Sequence, residues 1–296
     1  MDKRLVVILF FVSVLLEFQG LVFMVHRVEA FDYISIEPNG SVAGTDKIAN
    51  IGNTMYTFTD DITSSTIIVK RSNIIIDGEG HTLGPGASGV AGFELDSLSN
   101  VTIKNTKIIE GFDSGIWIHA SSCIVISGNS ITKNRGGLFV DESDNNTFSE
   151  NNLINNQLGI ALIWSKYNVV VGNNITDNVS EGIASVWGAN DNVIYHNRFV
   201  NNTPNAYVED TRNIWDNGYP AGGNYWDDYL ALYPNATEIG NSGIGDTPYV
   251  IDANNIDRYP FMTQNAIAEF PSFLIMSLVV ITTLVSAIVY RRKRSI

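Results

Sequence analysis

Residues 126–147 read ISGNSITKNRGGLFVDESDNNT and residues 148–169 read FSENNLINNQLGIALIWSKYNV. Laid one over the other, they put Ile126 on Phe148, Asn129 on Asn151, Ile131 on Leu153, Asn134 on Asn156, and Gly137-Leu138 on Gly159-Ile160. Working outward, one apolar column holds Ile103, Ile126, Phe148, Val170 and Ile194. A second holds Ile108, Ile131, Leu153, Ile175 and Phe199, and both advance by 23, 22, 22 and 24 residues. A third column follows a glycine, at Ile116, Leu138, Ile160 and Ile183. Paired asparagines five apart recur as Asn129/Asn134, Asn151/Asn156, Asn173/Asn178 and Asn197/Asn202. A fixed period of this kind decides the architecture before any local propensity does.

The segments between asparagines and glycines are short, rich in Ile, Val and Thr, and alternate with period two, which is strand and not helix. A unit of about 22 residues cut into such strands cannot bury its own apolar face, whereas stacked copies can. Neither a propeller nor a leucine-rich repeat fits, because the chain has no unit of about 40 residues and no L-x-x-L-x-L-x-x-N string. The expectation is an all-β chain, a right-handed parallel β-helix. Asn at the corners is expected to tolerate left-handed backbone and to bond to its copy one rung away, about 4.8 Å off, and glycine to serve a tight corner.

Weaker rungs extend the pattern upstream through Ile67 and Ile74 and downstream to Trp215. The expected organisation is an N-terminal cap over 31–65, repeats over 66–215 and a C-terminal cap over 216–262, where the period breaks and Gly, Tyr, Trp, Asp and Pro concentrate. The ends differ from the middle. Lys3 and Arg4 precede an apolar run from Leu5 to Leu16, and Val28-Glu29-Ala30 offers small residues for a signal peptidase, so residues 1–30 are expected to be a signal peptide. After a linker over 263–271, the 19 residues 272–290 carry no charge and are long enough for a transmembrane helix. Arg291, Arg292, Lys293 and Arg294 follow and belong on the cytoplasmic side, which leaves the repeats outside the cell, at its surface.

Between those ends 11 basic residues face 27 acidic ones, a net charge of −16 that repels polyphosphate and excludes nucleic acid as a partner. It repels polyuronates as well, unless a divalent cation intervenes. Cys123 is the only cysteine, so no disulfide forms within the chain. Seven Asn-x-Ser/Thr sequons, at Asn39, Asn100, Asn145, Asn174, Asn178, Asn201 and Asn235, are open to glycosylation in an exported protein, though an Asn-rich repeat generates such triplets by chance.

Three further stretches complete a pattern: Asn73-Ile-Ile-Ile-Asp77-Gly78 with Gly80, Gly223-Asn-Tyr-Trp-Asp227-Asp228-Tyr229, and Gly243-Ile-Gly-Asp246-Thr-Pro-Tyr249 with Asp257-Arg-Tyr-Pro260. With the Gly-Ile strands and paired asparagines they make residues 34–262 resemble the NosD-type β-helix proteins, related to the domain called carbohydrate-binding and sugar hydrolase. The resemblance implies an extracytoplasmic β-helix. It also implies two functional expectations, a copper-related accessory role and, among exported archaeal relatives, a surface protein.

Copper favours His, Met and Cys, and His81, His119, His196, Met55, Met262 and Cys123 form no cluster in sequence or in a repeat column, so a copper site is not expected. If Ile116 and Ile118 point inward, Trp117 and His119 point outward, and one rung later the same positions carry Phe139 and Asp141. Trp117 and Phe139 are the candidate sugar-binding residues. His119 and Asp141 are the candidates for acid/base work if the chain is an enzyme, the simpler reading being a cross-rung contact. Trp164 and Trp187 share a column whose parity suggests core or corner packing. Of four motifs that mark pectin hydrolases only Asp227-Asp228 is present, and it falls in the cap. Asp246, Asp252 and Asp257, with Asn254, are candidate calcium ligands close together in sequence. The residues favour a non-catalytic binder of polysaccharide or another envelope component over a polysaccharide hydrolase or lyase, and either over a copper accessory.

Overall fold

The computed structural model describes residues 33–264 except 64 and 87–89, so the signal segment, the membrane span and the basic tail lie outside the described residues. Among the described residues no helix is long and apolar enough to cross a membrane.

Three sheets wrap the chain into a solenoid. The first runs through Ile34–Ile36, Ile67–Val69, Ala91–Asp96, Ser114–His119, Gly136–Asp141, Leu158–Ile163, Ile183–Val186 and Ala206–Glu209, all parallel, with Val42–Ala43 added antiparallel at its edge. The second runs from Met55–Phe58 to Val193–Tyr195 and the third from Thr82–Leu83 to Tyr225–Trp226. Each strand pairs with the strand one rung away, in the register the repeat dictates: Ile103 on Ile126 on Phe148, and Ile108 on Ile131 on Leu153. All the residues of the three sequence columns are 0–1% exposed and fill the interior.

The asparagine pairs form ladders. Asn129 Nδ2 donates to Asn151 Oδ1 at 3.1 Å, Asn151 to Asn173 at 3.0 Å, Asn173 to Asn197 at 2.9 Å and Asn197 to Asn224 at 3.0 Å, and each Oδ1 also accepts the backbone N–H of the asparagine below. A third ladder, Asn146, Asn168, Asn192, Asn213 and Asn255, escaped the sequence reading.

Backbone tolerance is not what these positions use. The left-handed residues are those immediately before the ladder: Gly128, Glu150, Gly172 and His196 precede one column, and Lys133, Asn155, Asp177 and Asn201 precede the other. Asparagine is therefore selected for its amide, which satisfies buried carbonyls and N–H groups where the chain turns. The glycines before the third column also correct the expectation. Their φ is not positive; a Cβ on Gly137 would lie 2.4 Å from Gly159 O, and one on Gly159 would lie 2.2 Å from Gly182 O.

The expected N-terminal cap contains a rung of its own. Ile34–Ile36 pairs with Ile67–Val69 and Met55–Phe58 with Ile74–Asp77, while the antiparallel strand Ile48–Ile51 covers the exposed edge.

At the other end Tyr225–Trp226 continues the third sheet. Trp226 stacks between Phe199 (4.5 Å, 9°) and Tyr249 (4.3 Å, 2°). Trp226 Nε1 donates to Asp257 Oδ2 at 2.9 Å, and Trp215 Nε1 to Asn255 Oδ1 at 3.1 Å. Asp257 and Asn255 thus terminate two of the ladders, Asp257 by accepting the Asn224 N–H at 2.7 Å.

Candidate functional site

Strand alternation in the first sheet leaves two columns facing outward, related by the pairing register. One holds Glu94, Trp117, Phe139, Ala161, Ala184 and Tyr207, the other Asp96, His119, Asp141, Ile163, Val186 and Glu209. Trp117 and Phe139 are half-buried and directly opposite one another, about 4.8 Å apart at sheet spacing.

The polar end of this face is centred on His119. Its closer partner is not Asp141 but Asp96 from the preceding rung: Nδ1 lies 2.9 Å from Asp96 Oδ1, while Nε2 is 4.0 Å from Asp141 Oδ2. The Trp117 and His119 rings stack at 5.5 Å and 13°, which fixes the imidazole plane. Glu94 and Asp96 were readable from the inward parity of Phe93 and Leu95, one rung earlier than the pair the sequence singled out. The hydrogen bond from His119, then that from Ser97, holds the Asp96 carboxyl below its usual range. Burial, and after it the charge of Asp96, raises Glu94. Burial also raises Asp141 against the pull of His119, and Asp141 Oδ1 is sealed from solvent with no hydrogen-bond partner. This end thus presents an oriented imidazole and carboxyl groups held at different proton affinities, an arrangement able to bind a cation or move a proton.

The other end is apolar. Ala161 and Ile163, 3% and 8% exposed, are covered by side chains on the face itself, in a cluster with Val186, Phe139, Leu158, Trp187 and Tyr207. Trp164 and Trp187 are corner residues, as one sequence alternative had it, but neither enters the core. Both have left-handed backbone, their rings meet at 5.2 Å, and Trp164 is 51% exposed.

Asp246, Asp252 and Asp257 do not come together as a calcium site. Asp246 accepts from Thr237 N and Oγ1, Asp252 from the Asn254 N–H and Asn255 Nδ2, and Asp257 is the buried end of a ladder, so each closes its own turn. Asp227 and Asp228 are likewise bound by Asn201, Asn205 and Tyr249 beside the last rung.

The fold and this face define a parallel β-helix protein with a polar and aromatic outer surface on one sheet. Residues 34–231 match the family described as Periplasmic copper-binding protein (NosD), and the chain belongs to that family. It is 29% identical over 171 residues to a 3-dehydroshikimate dehydratase of Acinetobacter baylyi (strain ATCC 33305 / BD413 / ADP1), a match covering 48% of this chain and 35% of the dehydratase. The chain thus spans about a third of that relative's length. A mutant of the periplasmic alginate epimerase AlgG superposes with a TM-score of 0.42 at 19% identity, covering 60% of this chain and 56% of that one, and a double mutant of it with 0.38 at 18% identity.

The family description raises copper, which takes imidazole, thiolate or thioether ligands. His81 Nδ1 lies 3.5 Å from Asp61 and His119 Nδ1 is engaged by Asp96, while His196 is 6% exposed with Nε2 on Ala221 O at 2.7 Å. Among the described residues no three His, Cys, Asp or Glu side chains converge at metal distance. These residues do not fit a copper centre.

Proposed function

We propose that this protein binds polysaccharide, or another glycan-bearing envelope component, on the outer face of its first sheet. The observation that carries the reading is the register-matched pair Trp117 and Phe139 beside the His119 cluster. Aromatic rings offer flat apolar faces to the C–H faces of sugars, and adjacent carboxyl groups and an imidazole give hydroxyls donors and acceptors. The family's periplasmic description supports an extracytoplasmic location, and residues 272–290 with the basic tail after them would anchor the chain at the surface.

The test is a screen of the full chain against immobilised neutral, amino and uronic polysaccharides, reading retained protein and released sugar together. Binding to at least one class is expected. Trp117→Ala with Phe139→Ala should weaken it about tenfold or more while the chain stays folded, the thermal midpoint falling by only about 2–4 °C for the loss of the Phe139 ring that covers Ala161 and Ile163. Unchanged retention by that variant would remove the site.

One observation favours a second reading, polysaccharide cleavage: His119 has one nitrogen tied by Asp96 and the other turned toward Asp141. In that reading His119 takes a proton from the attacking water and a protonated carboxyl on the same face returns one to the leaving group. Released sugar that disappears in His119→Ala, with retention kept, would favour it.

A further inference from the structure

Beyond general sugar binding, the face carries a charge pattern that selects among sugars. Over the six strands from Ala91–Asp96 to Ala206–Glu209, its twelve outward positions hold four acids, Glu94, Asp96, Asp141 and Glu209, one histidine, and neither lysine nor arginine. Lys70, which follows the strand Ile67–Val69, is turned to Glu37 at 2.9 Å. Asp96 already serves His119. Asp141 instead has an acceptor oxygen that no donor reaches, in the same outward column as His119 and next to Phe139 on its own strand.

With Oδ1 sealed in, the Asp141 side chain stays 22% exposed through its remaining atoms, and a half-buried carboxylate short of donors is stabilised by a cation at its open oxygen. At the other end of the face the charges of Glu209, Glu181 and Asp210 surround Tyr207. A ligand suited to this surface presents apolar ring faces to Trp117 and Phe139 and positive charge at both ends, and the net charge of −16 over residues 31–266 draws such a ligand in.

Resting on the glycan-binding reading, we infer that the ligand is a polymer of amino sugars bearing free ammonium groups, received separately by the two carboxylates that flank the Trp117 and Phe139 rings, Glu94 on the rung before Trp117 and Asp141 on the strand of Phe139. A basic peptide shares the charge but lacks the sugar face, and the aromatic pair favours the sugar.

The experiment titrates the full chain with a glucosamine hexamer, its fully N-acetylated counterpart, an oligogalacturonate and hexalysine, by calorimetry at low and at moderate salt. The free-amine sugar should bind about tenfold or more tighter than the acetylated one, and salt should narrow the gap. Asp141→Asn, and independently Glu94→Gln, should lower affinity for the amine sugar and leave the acetylated sugar unchanged, with thermal midpoints showing that both variants fold. Trp117→Ala should weaken both sugars.

Equal affinity for the two hexamers would overturn the amino-sugar inference and leave glycan binding standing. Hexalysine binding as tightly as the amine sugar, with the same dependence on Asp141, would overturn it in favour of a basic peptide. Failure of every sugar to bind would remove the glycan reading itself and the inference with it.

Discussion

Within each turn of the solenoid, adjacent residues do opposite work. Glu150 takes the left-handed backbone at φ 56°, and the next residue, Asn151, is fully buried and makes the ladder. In the same columns one rung away the left-handed position is Gly128 on one side and Gly172 on the other, where the conformation costs nothing. Glu150→Gly is therefore expected to be neutral or to stabilise by up to about 1 kcal/mol. Asn151→Ala strands the Asn129 N–H, takes the Asn151 amide from the Ile126 carbonyl and leaves Asn129 Nδ2 only its bonds to the Ile103 and Ser127 carbonyls, and should cost about 2–4 kcal/mol. Urea midpoints of the two variants check the contrast, and equal effects would refute the division of labour. The asparagine repeat was legible in the sequence because identical residues recur at one spacing. The left-handed column was not, since Gly, Glu and His fill it in turn and share a backbone angle rather than a side chain. The third ladder was open to the same reading as the asparagine pairs, since Asn146, Asn168 and Asn192 stand five residues before Asn151, Asn173 and Asn197.

At the scale of elements, the strand starting at each glycine packs against the next rung more closely than a Cβ allows. Gly159→Ala puts its Cβ 2.2 Å from Gly182 O and 2.9 Å from Ile175 Cγ2, so the strands must part, at an expected cost of about 2–3 kcal/mol measurable by denaturant titration. The C-terminal cap has a proton dependence of its own. Asp257 is fully buried, and desolvation pushes it up to about 7 against the hydrogen bonds from Asn224, Trp226 and Tyr259. A raised folded value means that the native state holds a proton which the unfolded chain has released, so stability falls as pH rises from the ordinary 3.8 to about 7 and levels off above it. His196, lowered by burial, acts in the opposite direction below its ordinary 6.5, so the Asp257 effect is isolated by comparing wild type with Asp257→Asn. Between pH 7 and pH 5 wild type should gain about 2 kcal/mol relative to the variant. Parallel curves would show that Asp257 is not the titrating group. Sequence periodicity could not reveal this element, because a cap exists to end the repeat and is held by contacts such as Trp226 on Tyr249 that link segments outside it.

Across the whole molecule, stacking accounts for the interior and the corners, and the proposed binding face lies on the outer side of the first sheet. Periodicity located that face: the parity of Ile116 and Ile118 exposed Trp117 and His119, and the register delivered Phe139 and Asp141 beside them. It did not reveal that His119 is bound to the rung before, because that depends on which rotamer the ring adopts against Trp117. The apolar half of the face is covered by Phe139, Trp187 and Tyr207 from the face and its corner. Hydroxyl-radical footprinting of the full chain, with and without a polysaccharide that it retains, tests the central claim by locating the ligand. Ligand-dependent protection of Trp117 and Phe139 is the expected result, with the buried cap residues Trp215 and Trp226 unchanged. Protection confined to other surfaces, with Trp117 and Phe139 equally oxidised in both samples, would contradict it.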